Sequence, residues 1–550
     1  MPLEIHDSLT DRRIPLPERT PGETSLYVCG PTVYGYIHVG NARPPVVFDV
    51  LARHLRAQGK VVKYIRNFTD IDDKIIQVAL AGGEDPRAVA ERFIAAFHED
   101  MATLCCEAPT AEPRVSEHLT DIVAHIEALL AKGSAYVTDE GDVYYDVASF
   151  EGYGKLSKRD LAVNRGEFGR GKSGGGKRSE HDFALWKRAK PEEPAGARWP
   201  SPWGEGRPGW HIECSAMSHA HIGAGFDVHG GGMDLKFPHH ENEIAQSEPV
   251  HGAPMARGWM HNGFIEVDIE RGADFAPEVQ ALLPTLFADD KDLRKISKSD
   301  RVKLEALRAL PSPDARAQAL LAVYARKVQF AEWFQLRRLL TRVEGEAVRY
   351  WILGTHYRAP LGFDIAERDG VTGFPALEAA EKRVEYFYET RARVVAKRAQ
   401  LATAKTGAAK AMHDGAFAKL LAAFDAALDD DLNTAGAMDP MGRIYLLANK
   451  VCDEKRPPMA DLDAAEAAMA RVARVTGVAE GDPEAFFARV TARRIAERGI
   501  TAAHVDGLIA EREAARGARD FARADALREA LTALRIEVRD GASGTTWRAV

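Results

Sequence analysis

Residues 25–45, which decide the fold, read SLYVCGPTVYGYIHVGNARPP. A short apolar and β-branched run ends at Cys29, a glycine-containing turn follows, and helical spacing begins after it. This order predicts a buried strand, a turn and the start of a helix. Because open parallel sheets bind ligands beyond the carboxyl ends of their strands, we expect a ligand site near residues 38–41.

The same alternation continues on both sides of a long middle segment. After the helix in PPVVFDVLARHLRAQG, the segment KVVKYIRNFTDIDD contains a second strand and KIIQVALAGG a second helix, so residues 25–80 read β-α-β-α. That rhythm predicts a parallel sheet. Sheet-like sequence resumes in GWHIECSAMSHAHIGAGFDVHGGGMDL and RGWMHNGFIEV. The intervening segment, with the hairpin-like YVTDEGDVYYDV and then long loops, is interpreted as an insertion.

The composition is that of a folded protein with several domains. The chain has 550 residues, 45% hydrophobic and 28% charged, with a net charge of −8 and five cysteines. At about 150 residues per domain this length predicts three or four units. So few cysteines argue against a disulfide framework. The start lacks a signal-peptide pattern and no run of about 18 apolar residues occurs, so we expect a cytoplasmic protein without membrane segments.

One motif looks like a nucleotide site but lacks the context for one. Residues 166–173, GEFGRGKS, match the phosphate-loop pattern, which has meaning only between a buried strand and a helix. The preceding LSKRDLAVNR is too charged for a central strand, and the following GGGKRSEHD starts with three glycines, each costing about 1 kcal/mol in a helix. We therefore predict a basic surface loop around Lys172.

A second constellation has the residue types of a metal site. In KFPHHENEIAQSE, Pro238 is a plausible first helical residue, which places His239 and Glu243 four apart on one face. Cys29 ends the first strand and Cys214 lies where the sheet resumes. Zinc binds thiolate, imidazole and carboxylate together, so these four form a possible set. The alternative is that the cysteines are buried small hydrophobic residues.

Two further motifs, taken as a pair, resemble a known family. HVGN after the first strand, with His38 and Asn41, and KISKS far downstream, with Lys295 and Lys298, resemble the HIGH and KMSKS motifs of class I aminoacyl-tRNA synthetases. The strings CGPTVYG, NFTDIDDK, PGWHIECSAM, FPHHENEIAQS, KISKS, DFARADALRE and GTTW resemble the cysteinyl-tRNA synthetases, in the same order across nearly the whole chain.

This resemblance implies an α/β fold with six regions. They are a Rossmann-like catalytic domain in two halves (1–115 and 206–267), an inserted connective region (116–205), the KISKS loop with inserts and a stem-contact region (268–370), an α-helical bundle (371–486) and a small anticodon-binding domain (487–550). It also implies one Zn²⁺ held by Cys29, Cys214, His239 and Glu243, which binds the substrate thiolate. A metal suits this task because apolar walls separate near-isosteres such as cysteine and serine poorly.

The resemblance assigns the remaining roles residue by residue. It implies ATP binding, with Mg²⁺, at Gly30, His38, Gly40, Asn41 and Lys298, and a catalytic set of His38, Asn41, Lys295 and Lys298. It implies an L-cysteine pocket that includes Thr69, Trp210 and Asp234. It implies contacts with the anticodon of tRNA(Cys) at Arg516, Asp525, Asp540 and Trp547. The expected activity is attachment of cysteine to tRNA(Cys) by a monomer.

The chain departs from the family pattern at three places. Asn41 replaces the second histidine of HIGH, and an amide can still donate to a phosphate oxygen. Inserts at about 268–294 and 300–332 flank KISKS and put the closure of that loop in doubt. Two alternatives remain open: an ATP-dependent ligase joining cysteine to a small amine, and an inactive zinc-bearing RNA-binding paralogue.

Overall fold

The computed structural model of the chain describes residues 2–159, 176–191, 193–267, 275–290, 293, 300–368, 371–402, 412–541 and 544–550. Within these ranges the strands are β1 (Glu4–Asp7), β2 (Arg12–Pro15), β3 (Glu23–Val28), β4 (Val61–Arg66), β5 (Ala135–Val137), β6 (Val143–Tyr145), β7 (Phe183–Arg188), β8 (Gly206–Pro208), β9 (Phe226–Gly232), β10 (Ala256–Asn262), β11 (Ile265–Val267), β12 (Leu361–Phe363), β13 (Ala366–Arg368), β14 (Val371–Gly373), β15 (Ile536–Gly541) and β16 (Gly544–Ala549).

The helices of the same ranges are α1 (Val39–Ala57), α2 (Asp73–Gly82), α3 (Pro86–Thr103), α4 (Leu119–Ala131), α5 (Trp210–Ile222), α6 (Glu241–His251), α7 (Pro277–Asp289), α8 (Asp300–Arg308), α9 (Ala315–Phe334), α10 (Leu336–Leu340), α11 (Gly345–Leu353), α12 (Pro375–Ala402), α13 (Asp414–Asp429), α14 (Thr434–Asp453), α15 (Met459–Thr476), α16 (Pro483–Glu497), α17 (Ala502–Gly517) and α18 (Phe521–Ala533). A five-residue π-helical segment, Lys236–His240, leads into α6.

A parallel sheet of four strands organises the N-terminal half. Its order is β10-β9-β3-β4, with α1 connecting β3 to β4 and α6 lying between β9 and β10. Both faces are covered: Leu26 and Val28 of β3 belong to one hydrophobic core, and Tyr27 between them belongs to the other. The predicted parallel sheet is confirmed. The chain leaves β3 and β9 in opposite directions, so the gap between them is the switch point at which such sheets bind ligands.

The inserted region carries more regular structure than the expected hairpin and loops. The hairpin is present, because β5 pairs with β6 in antiparallel register from Ala135 with Tyr145 to Val137 with Val143. Two further strands, β7 and β8, extend it to a four-stranded antiparallel sheet. The three-residue β8 contains Gly206 and Pro208, which a sequence pattern marks as loop. GEFGRGKS, with Lys172, lies outside the described residues, so the prediction of a surface loop stays a prediction.

Helices dominate the second half of the chain, as predicted from the apolar spacing. They begin earlier than expected, with α7 at Pro277 and α8 at Asp300. In the 28-residue α12, buried side chains recur every three or four residues, among them Leu377, Val384 and Phe387. This stripe packs against α11, α14 and α15 and forms the predicted bundle.

The C-terminal residues form a small unit with a core of its own. Helices α17 and α18 pack against each other, and β15 pairs with β16 as a hairpin. The core side chains are Ile495, Val505, Ile509, Leu531, Ile536 and Ala549. None of the helices within the described ranges combines the length and hydropathy that crossing a membrane requires.

Candidate active site

Two thiols meet at the switch point of the central sheet. Cys29 directly follows β3, and its backbone N–H donates to the carbonyl of Gly230 on the neighbouring β9 at 3.1 Å. Cys214 lies on α5 and is buried. The two Sγ atoms are 3.7 Å apart, although the residues are 185 positions apart in sequence. Cys29, at the end of β3 and hydrogen-bonded to β9, therefore lies next to α5, the helix that contains Cys214.

A histidine and a carboxylate complete the cluster. His239, at the end of the π-helical segment, places its Nε2 atom 3.0 Å from Oε1 of Glu243 on α6. The same Oε1 atom is 3.6 Å from Cys29 Sγ. One ligand atom from each of Cys29, Cys214, His239 and Glu243 lies within 4.8 Å of all the others. The structure thus brings together all four residues that the sequence predicts as metal ligands.

The spacing of these atoms fits a tetrahedral ion. With Zn–S bonds of about 2.3 Å, two thiolates on one tetrahedral zinc lie about 3.8 Å apart. The observed separation between the sulfurs of Cys29 and Cys214 is 3.7 Å. His239 and Glu243 are each at most 1% exposed and Cys214 is buried, whereas Cys29 is half-buried. Mixed sulfur, nitrogen and oxygen donors of this kind suit zinc better than magnesium or calcium.

The charges around the cluster favour an ionised carboxylate. Burial would raise the pKa of Glu243, but His229 and His239 hold it well below its ordinary value. Burial also opposes ionisation of Cys214, yet its hydrogen bond with Cys29 and the contact with His239 lower the pKa of Cys214. Burial and the contact with Cys214 raise the pKa of Cys29. The surroundings therefore favour the thiolate at Cys214 more than at Cys29.

Three residues around the cluster were missed in the sequence analysis. His211 faces His239, with 3.0 Å between their Nδ1 atoms, and His229 Nε2 lies 2.8 Å from Oε2 of Glu243. Such outer partners orient metal ligands and tune their basicity. Glu213, next to Cys214, accepts a hydrogen bond from Thr69, and burial raises its pKa well above the ordinary value. Proximity in sequence to Cys214 is the signal that could have found His211 and Glu213.

An overlapping group of ligand atoms shares part of the cluster. It consists of Cys29, His229, His240 and Glu243. His240 is fully buried, and its Nδ1 atom lies 2.8 Å from Nε2 of His261. His240 thus points away from His239, toward β10. Cys29 and Glu243 belong to both groups, so the two groups describe one region of the site.

The three residues expected in the amino acid pocket have different surroundings. Trp210 begins α5, and its ring stacks on that of His239 with 4.5 Å between centroids. The hydroxyl of the buried Thr69 donates to Glu213 at 2.9 Å. Asp234 follows β9 and is exposed, and its Oδ1 atom would lie 2.3 Å from a Cβ added to Gly232. Trp210 therefore borders the cluster directly. Asp234 lies two residues after the end of β9, which is one of the two strands that flank the switch point.

The first nucleotide motif forms the N-terminal turn of α1. His38 is the residue before the helix, and its backbone N–H donates to Oδ1 of Asn41 at 3.2 Å. The NH₂ group is then the half of the Asn41 amide that can donate to a phosphate oxygen. A Cβ added to Gly30 would lie 1.7 Å from the backbone oxygen of Asn67, so no larger residue fits this turn. One added to Gly40 would lie 2.9 Å from Nδ1 of His38.

The second nucleotide motif lies outside the described residues. Lys295 and Lys298 fall within 294–299, and their roles stay predictions. Of the basic residues that follow the formal phosphate motif in sequence, Lys177 and Arg178 are described. Arg178 lies over the ring of Tyr136, with 4.0 Å from its guanidinium carbon to the ring centroid, and Lys177 lies over Tyr144 at 5.5 Å. Both cations therefore lie on aromatic rings of the inserted sheet.

The C-terminal candidates are engaged with one another or with nearby residues. Arg516 donates to Asp540 at 2.8 Å, and Arg512 donates to both carboxylate oxygens of Asp540 at 2.9 Å. The hydrogen bond from Arg512 holds the pKa of Asp540 below its ordinary value. The indole N–H of Trp547 donates to Asp506 at 2.8 Å, and Asp525 is exposed on α18. The sequence analysis did not identify Arg512 as the partner of Asp540, because helical spacing alone does not show which side chains of α17 face β15.

Two family models match the chain. One, described as tRNA synthetases class I (C) catalytic domain, matches residues 16–274. The other, described as Cysteinyl-tRNA ligase anticodon binding domain, matches residues 498–548. The first match spans the central sheet, the inserted sheet and the metal-ligand cluster, and the second spans the C-terminal unit.

Curated relatives are similar to the chain over its full length. Cysteine–tRNA ligase of Anaeromyxobacter dehalogenans strain 2CP-1 is 43% identical over 561 residues, which is 100% of each chain. Cysteine–tRNA ligase of Nitratidesulfovibrio vulgaris strain Hildenborough is 40% identical over 552 residues, 99% of each. Among solved structures, Mycobacterium tuberculosis methionyl-tRNA synthetase in complex with methionyl-adenylate aligns with a TM-score of 0.48 and 14% identity, over 83% of this chain and 90% of that one.

Proposed function

The chain belongs to the cysteinyl-tRNA ligase family of class I aminoacyl-tRNA synthetases, and from this premise we propose how it recognises and activates its amino acid. It is an aminoacyl-tRNA ligase. We propose that it joins L-cysteine to ATP as cysteinyl-adenylate and transfers the cysteinyl group to the 3′ end of tRNA(Cys). The observation that carries this proposal is the buried cluster of two thiols, an imidazole and a carboxylate at the switch point.

In this proposal the cluster holds one zinc ion through Cys29, Cys214, His239 and Glu243. When bound, zinc prefers a thiolate to an alcohol and lowers the pKa of a coordinated thiol, which separates cysteine from serine. His229 holds the second oxygen of Glu243 and His211 faces the outer nitrogen of His239, so both ligands are oriented before substrate arrives. Trp210, stacked on His239, covers one side of the pocket.

Activation of cysteine requires positioning and charge stabilisation rather than an enzyme nucleophile. A carboxylate oxygen of cysteine attacks the α-phosphorus of ATP, the bond to the β-phosphate breaks, and pyrophosphate leaves. A ribose hydroxyl of the terminal adenosine of tRNA then attacks the activated carbonyl, and AMP leaves. We assign His38, Gly40 and the amide of Asn41 to the phosphates, where the start of α1 favours negative charge. Lys298, with Lys295, is assigned to the pyrophosphate, and Mg²⁺ accompanies ATP.

The remaining expectations from the sequence are carried into the proposal. The division into six regions places anticodon binding in residues 487–550, with Arg516, Asp525, Asp540 and Trp547 as candidate contacts. The separate core of the C-terminal unit supports a recognition module that is distinct from the catalytic half. We also propose a monomer that acts in the cytoplasm. No observation in the described ranges favours the small-amine ligase or the inactive paralogue.

Pyrophosphate exchange tests the proposal. Purified protein is assayed for exchange with cysteine, with serine and with no amino acid, and zinc is measured in the same sample. We expect about one zinc per chain and exchange that depends on cysteine, with serine at least about 100-fold less effective, as a hydroxyl is a poor zinc ligand. Equal rates with the two amino acids would overturn the role of the metal. Exchange with cysteine but no charging of tRNA(Cys) would favour the small-amine ligase.

A further inference from the structure

One buried arginine differs from the others in its partners. Arg43 lies on α1, two residues after Asn41, and is 1% exposed. Five other arginines are buried within the described ranges, and each forms an ion pair with a carboxylate: Arg53 and Arg349 with Asp49, Arg66 with Glu112, Arg207 with Asp73 and Glu193, and Arg512 with Asp540. No carboxylate in the described part of the chain pairs with Arg43.

The guanidinium of Arg43 donates to three backbone carbonyls. Its Nη1 atom donates to Gly263 at 2.7 Å and to Phe264 at 3.1 Å, and its Nη2 atom donates to His356 at 3.0 Å. Carbonyl dipoles orient the group but carry no full negative charge. Burial lowers the pKa of Arg43 to about 10, so the group is still charged at neutral pH. Because a buried charge is costly without an opposite charge, this cation calls for a functional explanation.

Arg43 lies close to the turn that we assign to the phosphates of ATP. With a rise of 1.5 Å per residue, it is about 3 Å along the axis of α1 from Asn41. Side chains on a helix lean toward its N-terminus, which brings the charge nearer the start of α1. Gly263 and Phe264 follow β10, whose carboxyl end lies at the same edge of the sheet as the switch point. The guanidinium therefore joins the start of α1 to the edge at which such sheets bind ligands.

Other contacts fix the carbonyls that Arg43 binds. The backbone N–H of Gly263 donates to the carbonyl of Tyr357 at 2.8 Å, and that of Leu361 donates to the carbonyl of Phe264 at 2.9 Å. A Cβ added to Gly263 would lie 2.5 Å from the backbone oxygen of Ala359, so the two segments are in close contact. The charge of Arg43 is thus held in place before any ligand binds, and fixed charges of this kind stabilise an anion without reorganisation.

We propose that Arg43 is a positioning residue for ATP, and that the triphosphate compensates its buried charge. The charge adds to the attraction that the start of α1 exerts on an anion, and it acts through the turn that contains His38 and Asn41. A nucleoside without phosphates gains nothing from it. This inference rests on the proposed function, because it requires that ATP binds at the start of α1.

The test compares ATP with adenosine in variants of the full-length, zinc-containing enzyme. Arg43→Gln removes the charge and keeps an amide donor for the carbonyls. In pyrophosphate exchange we expect the KM for ATP to rise about 10-fold or more, with the KM for cysteine and the zinc content within about twofold of wild type. The constant for competitive inhibition by adenosine should also stay within about twofold, because adenosine has no phosphates. Arg43→Lys keeps the charge, so its KM for ATP should be closer to that of wild type.

A matched control separates this role from general stability. Arg349 on α11 is also fully buried and also contacts α1, but its charge is paired with Asp49, further along that helix. Arg349→Gln should therefore lower Tm and leave the constants for ATP and adenosine within about twofold of wild type. A rise in the KM for ATP that is as large in Arg349→Gln as in Arg43→Gln would overturn the inference.

The remaining outcomes are also decisive. Equal losses for ATP and adenosine in Arg43→Gln, an unchanged KM for ATP, or the same KM in Arg43→Gln and Arg43→Lys would each contradict a role of the charge. If Arg43→Gln is insoluble, Arg43→Met takes its place and the same results decide. If the wild-type protein shows no exchange with cysteine and ATP, the proposed function fails and the inference fails with it. Wild-type exchange with unaffected variants overturns the inference alone.

Discussion

The polar side chains of the metal-ligand cluster and those of the C-terminal unit have opposite surroundings. In the cluster, Cys29, Cys214, His239 and Glu243 come from distant parts of the sequence, and one ligand atom of each lies within 4.8 Å of all the others. In the C-terminal unit, Arg516 and Asp540 neutralise each other at a surface where both are more than 40% exposed. Converging donors of this kind suit a metal ion, whereas an exposed ion pair is satisfied by itself and by water.

The largest effect is expected from removing one thiol of the cluster. Cys214→Ser replaces a soft ligand with a poor one, so we expect loss of bound zinc and a fall of about 10³-fold in kcat/KM for cysteine, about 4 kcal/mol of transition-state stabilisation. Pyrophosphate exchange and metal analysis measure both quantities. Cys452→Ser, at a buried cysteine of α14, is the control and should keep zinc and activity. Full zinc content in Cys214→Ser would remove Cys214 from the ligand set.

Deleting the C-terminal unit should impair the charging of tRNA and leave the activation of cysteine intact. Phe486 and Val490 of α16 belong to the core of the bundle, so the truncation should remove residues 498–550 and keep α16. We expect kcat/KM for tRNA(Cys) to fall about 100-fold, about 2.7 kcal/mol, while pyrophosphate exchange stays within twofold of wild type. Charging at the wild-type rate by the truncated chain would contradict anticodon recognition by this unit.

An outer partner of the cluster should matter less than a ligand. His211→Ala removes the ring that faces Nδ1 of His239, and partners of this kind contribute about 10- to 100-fold in metal affinity. Competition with a zinc chelator measures the affinity. His219→Ala, at an exposed histidine on the same helix, is the matched control. Unchanged affinity in His211→Ala would show that His239 is oriented without it.

The smallest effect is expected at the surface of the C-terminal unit. Asp540→Asn weakens the pairing with Arg512 and Arg516, and exposed pairs of this type contribute little. We expect the KM for tRNA(Cys) to change by about fivefold at most, with pyrophosphate exchange unchanged. A loss comparable to that of the truncation would contradict this small contribution and would make Asp540 a main determinant of tRNA binding.

Sequence predicted the features that depend on local pattern or on long strings in a fixed order. The parallel sheet followed from the alternation of apolar runs and helix spacing around Cys29, and the placement of His239 and Glu243 on one face followed from their separation by four. The family resemblance joined these to Cys214. The pairing of β3 with β9 and the contact between Cys29 and Cys214 depend on segments far apart in sequence, so no pattern within one segment could have shown them.

The features that sequence missed depend on tertiary contacts. His229 is an ordinary strand residue until β9 lies beside α6 and places its imidazole against Glu243. Lys327 reads as part of a soluble helix until α8 packs on α9 and presents Asp300. The strand β8 is three residues long and contains glycine and proline, so its pairing with β7 overrides its local preference.

Zinc K-edge X-ray absorption on the purified enzyme, with and without L-cysteine, tests the central claim most directly. We predict two sulfur ligands at about 2.3 Å in the free enzyme, from Cys29 and Cys214, and a third sulfur when cysteine is added. Serine at the same concentration should leave the sulfur count at two. A spectrum without zinc, or a sulfur count that does not change with cysteine, would contradict selection of the substrate by the metal.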